Sequence, residues 1–88
     1  MNYKKDSVAL LSREGINLTS NIEYNVNTKT YSFTIEEIID AYMQASEDAQ
    51  KVFYLTLKEA IENEAVNAFF EKMGQLLLMS SLSDNFIE

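Results

Sequence analysis

The chain has no cysteine, no histidine and no proline, and only two glycines among its 88 residues. Each absence removes something. Without cysteine there are no disulfides, no thiolate nucleophile and no sulfur-ligated zinc, and small secreted domains of this size usually depend on disulfides, so a reducing, cytoplasmic setting is expected. Without histidine the chain lacks the usual general base near neutral pH, cannot assemble a serine–histidine relay, and cannot supply the Glu-x-x-His pairs of a di-iron bundle. Gly15 and Gly74 are isolated and start no GxGxxG or Walker pattern, which excludes a standard phosphate loop. No proline-rich, low-complexity or repeated stretch marks an interdomain linker. Long apolar runs are missing too. Val8 to Leu11 is too short for a signal-peptide core, and Leu76 to Met79 falls far short of the roughly 20 residues of a membrane span. The expectation is a soluble chain with no cleavable leader and no membrane contact.

Hydrophobic residues make up 47% of the chain, including five Phe and five Tyr, enough apolar material to fold despite the charge. One domain covering residues 1–88 is expected, with a total stability on the order of 4–13 kcal/mol. The formal charge of −7 is unevenly placed. Residues 1–28 balance Lys4, Lys5 and Arg13 against Asp6, Glu14 and Glu23, so the whole excess lies in residues 29–88.

From Thr34 onward the pattern is helical. Thr34 with Glu37 three places on forms a capping box, and Ile35, Ile38, Ile39, Tyr42 and Met43 follow the spacing of one buried stripe. That helix should stop near Ala45, because Ser46-Glu47-Asp48 is a fresh hydroxyl cap followed by carboxylates that suit the helix dipole. The second helix is predicted over about 47–62, burying Ala49, Val52, Phe53, Thr56 and Ala60. Asn63 is predicted to cap a third helix over about 64–82, with Val66, Phe69, Phe70, Met73, Leu76 and Leu77 as its main stripe.

The N-terminal third alternates. Ile22, Tyr24 and Val26 interleave with polar residues, Asn27-Thr28-Lys29 offers turn chemistry, and Thr30-Tyr31-Ser32-Phe33 alternates again, which reads as a β-hairpin. A lone hairpin is marginal in water, so it should lie on the helices or pair with a partner strand. Before it, Asp6 or Ser7 caps a short helix through Arg13 with Gly15 as terminator; the competing reading is a strand containing Val8 to Leu11. The fold class is therefore α+β and mostly helical: a helix and hairpin in 1–33, three helices in 34–82, and a frayed tail in 83–88. An all-α bundle with an irregular N-terminal arm is the alternative.

Acidic clusters are the remaining candidates for chemistry. Glu36, Glu37 and Asp40, then Glu47 and Asp48, then Glu59 and Glu62 are the prominent ones, and helical spacing sets Glu36 beside Asp40 and Glu59 beside Glu62. Such pairs could hold a hard divalent cation if other oxygens completed the shell. The plainer reading is a solvated acidic face, because first-turn capping already accounts for Glu36, Glu37, Glu47 and Asp48. No catalytic, cofactor-binding or metal-binding residue is assigned. Direct nucleic-acid binding is disfavoured, since the third helix offers only Lys72 beside Glu64 and Glu71.

The positive signal is apolar. Leu78, Met79 and Leu82 fall away from the main stripe of the last helix, and with Tyr54 and Ile61 they exceed what a single three-helix core requires. These five are the predicted protein interface; the competing reading is that packing beneath the N-terminal helix and hairpin absorbs them without a partner. The function expected is a small, acidic, non-catalytic regulator or inhibitor that binds a protein and occludes its surface, of the kind phages and other mobile elements encode. One alternative is a self-assembling adaptor or structural protein, a homodimer joined through the C-terminal helix. The other is a DNA mimic whose carboxylates occupy the basic groove of a nucleic-acid enzyme.

Overall fold

A two-stranded antiparallel hairpin and four helices share one hydrophobic core, in the order α1 (Tyr3–Arg13), β1 (Asn21–Val26), β2 (Lys29–Thr34), α2 (Ile35–Met43), α3 (Glu47–Glu62) and α4 (Val66–Phe86). The structure, a computed structural model, describes residues 2–86, with side chains described as far as Ser80. The fold is α+β and mostly helical. The core is built from Leu10 and Leu11 of α1, the three isoleucines of α2, Phe53, Leu57 and Ala60 of α3, and Phe69, Phe70 and Met73 of α4.

Helix α1 starts earlier than the sequence suggests. Asn2, not Asp6 or Ser7, is its cap, accepting the Lys5 amide at 3.0 Å. Ser7 instead sits in the helix interior, fully buried, with no hydrogen-bond partner for its hydroxyl. The helix closes as expected at Gly15, whose φ of +71° suits a residue without Cβ. There the Gly15 amide donates to Ser12 and the Ile16 amide to Leu11, the paired bonds of a Schellman motif.

The hairpin turns on Asn27 and Thr28, both at positive φ (50° and 67°), the requirement of a two-residue type I′ turn. Its register sets Ile22 opposite Phe33 and Tyr24 opposite Tyr31. Ile22, Tyr24 and Phe33 therefore turn toward the helices, while Asn21, Glu23, Asn25, Thr30 and Ser32 line the exposed face. The hairpin lies on the helices, touching α4 through β1 and α2 through β2.

The capping box is present in full: Glu37 donates its amide to Thr34 Oγ1 at 3.0 Å, and the Thr34 amide donates to Glu37 Oε1 at 2.9 Å. Ser46 caps α3 through the Ala49 amide. Asn63, expected to start the last helix, ends α3 instead, and Glu64 takes the left-handed position with φ +56°. The Glu64 amide bonds to Ile61 and the Ala65 amide to Ala60, repeating at α3 the Schellman pattern of α1 with a glutamate where α1 has glycine. Helix α4 then runs on to Phe86, past the predicted end at Leu82, and at 21 residues it spans about 31 Å of a molecule 39 Å long. Ile87 and Glu88 lie outside the described residues.

Candidate protein-interaction surface

Two tyrosines fix the position of α4. The Tyr24 hydroxyl donates to the Phe70 carbonyl at 2.9 Å, and the Tyr42 hydroxyl to the Met73 carbonyl at 3.2 Å. Burial pushes both phenols above their ordinary pKa, so they remain donors. Gly74 sits directly under Tyr24, where a Cβ would overlap the hydroxyl and its ring carbon. Close approach of the hairpin to α4 is possible only at this glycine. One helical turn further, on the same face, Leu78 is 4% exposed.

Leu78, predicted to lie on an outward interface, is therefore a buried residue. Tyr54 and Ile61 are also half-covered by the chain's own packing, with the Tyr54 ring 5.9 Å from that of Tyr3 on α1 and Ile61 against the core. Of the predicted interface only Met79, 53% exposed, faces outward; the Leu82 side chain lies outside the described residues. Two residues predicted to be core take the opposite position. Val52 is 59% exposed and Leu76 is 49% exposed, and Leu57, absent from the predicted stripe, is completely buried.

Among the described residues the large exposed hydrophobics are Val52 and Leu55 on α3, and Leu76 and Met79 on α4. By helical phase Val52 and Leu55 share the outward side of α3, and Leu76 and Met79 share one side of α4. On α3, Val52, Thr56, Glu59 and Asn63 succeed one another at three- and four-residue spacing, with Leu55 three residues after Val52; Ala65, just before α4, and Ala68, Lys72, Leu76 and Met79 on it do the same. Between the two strips lies a shallow groove of about 280 Å³, lined by Thr56, Glu59 and Asn63 from one side and Ala65, Ala68 and Lys72 from the other, with Ala60, Phe69 and Met73 beneath. The small alanines keep the groove open.

The acidic residues form no comparable site. Glu37 is bound into the capping box, and Asp40 pairs with Lys4 at 2.7 Å, an ion pair that raises the lysine pKa above its ordinary value. Glu36, Glu47, Asp48, Glu59 and Glu62 are exposed. Among the described residues no three acidic side chains gather closely enough to hold a metal ion. Nor is any helix there long and apolar enough to cross a membrane.

No family model matches this chain, and comparison with curated proteins and with solved structures finds no match either.

Proposed function

We propose that the chain is a non-catalytic protein-binding module, a regulator or inhibitor working in a reducing intracellular setting, whose contact surface is the outer face of α3 and α4. The observation that carries this reading is that the large exposed hydrophobics among the described residues, Val52, Leu55, Leu76 and Met79, all belong to α3 and α4, the two helices that line an alanine-rich groove. Scattered single hydrophobics are ordinary on a protein surface, but a contiguous set marks a place where another surface is received. Methionine at the edge suits such a role because its side chain adapts to different partners. The composition agrees, since a chain without histidine or cysteine has few routes to catalysis near neutral pH. DNA mimicry is the weaker proposal: Glu37 and Asp40, at the centre of the densest acidic cluster, are engaged within the chain itself.

The test is affinity capture from the native host with the wild-type chain and with Val52→Glu/Leu76→Glu. Both substituted positions are exposed, so the variant should fold, as circular dichroism would verify. Proteins recovered by the wild type should be lost with the variant. Recovery of the same proteins by both would remove this face from the reading.

A further inference from the structure

We infer that the surface received by the α3–α4 face is the same face of a second copy, related by a two-fold axis that runs along the groove. The inference rests on the reading of this face as a protein contact and adds the identity of the partner.

It begins with how the two helices run. A short turn joins α3 to α4, and residues of both sides line one groove: Thr56, Glu59 and Asn63 from α3, and Ala65, Ala68 and Lys72 from the turn and α4. One turn beyond Thr56 on α3 lies Val52, and one turn beyond Lys72 on α4 lies Leu76, both exposed. A two-fold axis along the groove would lay α3 of one copy over α4 of the other at the same height. Val52 then meets Leu76 of the second copy, and Leu76 meets its Val52. Glu59 is about one turn from Lys72 along the axis, within reach of a lysine side chain, so it meets Lys72 of the second copy, again twice.

The charges support this partner over a basic one. Glu59 and Lys72 are the only charged residues lining the groove, they carry opposite signs, and neither has an ion-pair partner within 4 Å among the described residues. Around Leu55 the charged neighbours one and two turns away are Asp48, Lys51, Lys58, Glu59 and Glu62, and Lys72 across the groove brings the set to balance. The face is locally neutral in a chain of net charge −7. A cationic partner would find little to attract it here, whereas two copies can meet without bringing their acidic excess together.

The experiment uses two charge reversals, Glu59→Lys and Lys72→Glu, with molar mass measured by sedimentation over a wide concentration range. The wild type should be a dimer. Each single variant replaces two attractive contacts by two repulsive ones and should weaken self-association roughly tenfold to thirtyfold. Mixing the two variants should restore the dimer as a heterodimer. In it the two substituted positions face each other with their charges exchanged, and the unchanged Lys72 of one copy faces the unchanged Glu59 of the other; a misfolded variant could not give this rescue. A monomeric wild type overturns the second-copy assignment and leaves the face to another protein, which the capture experiment above tests separately. A dimer indifferent to both reversals, or singles that weaken but are not rescued by mixing, also overturns it.

Discussion

Helix α4 is apolar on two sides, and the two sides have different fates. Toward the hairpin, Gly74 and Leu78 are covered by the chain's own residues, with Tyr24 held at 2.9 Å to the Phe70 carbonyl. Toward the outer face, Leu76 and Met79 remain about half exposed, and α3 adds Val52 and Leu55 beside them. Leu76 and Leu78 are two residues apart and chemically identical. What separates them is their side of the helix: Leu78 lies one turn beyond Gly74, where Tyr24 of the hairpin packs. The comparison teaches that surplus hydrophobicity in a short chain divides into a part that folding consumes and a part left exposed.

The division can be broken from the hairpin side. Leu78→Ala should cost about 2–5 kcal/mol, because deleting a buried leucine loses both transfer energy and packing. In a domain of this size that is a large share of the total, and denaturant unfolding would register it as a lower midpoint with an unchanged slope. Gly74→Ala comes next. Its Cβ collides with Tyr24, an overpacking cost of about 1–3 kcal/mol, from which the better helix propensity of alanine recovers up to about 1 kcal/mol. Smallest is Tyr24→Phe, which removes the hydroxyl bond to Phe70 and should cost about 1 kcal/mol by the same measurement.

Local signals in the sequence hold at several helix ends, though not at Asp6, Ser7 or Asn63, where Asn2 and the left-handed Glu64 take over. Thr34 with Glu37, Ser46 with its following carboxylates, and Gly15 all lie where their spacing places them. Phase is harder. On α3 the set of Ala49, Val52, Phe53, Thr56 and Ala60 and the set of Phe53, Leu57, Ala60 and Ile61 fit a helical stripe equally well, and only packing against α1 and α4 selects the second. Leu57, four residues after Phe53 and three before Ala60, was the available clue. Helix α3 ends at Glu62 as predicted, but α4 starts at Val66 and not near 64, because Glu64 adopts a left-handed backbone, which no glutamate advertises. The interface was the least legible element. Which side of α4 is covered is a matter of tertiary packing, as in the Tyr24–Phe70 hydrogen bond between residues 46 apart, and no local periodicity encodes such a separation.

The most direct measurement of the division is equilibrium unfolding of Val52→Glu/Leu76→Glu beside the wild type, at a concentration low enough to avoid association. If the outer face belongs to binding and not to folding, the variant should match the wild type to within about 1 kcal/mol, as exposed substitutions usually do. A loss approaching that of Leu78→Ala would contradict the account, because it would place both sides of α4 in the service of the fold.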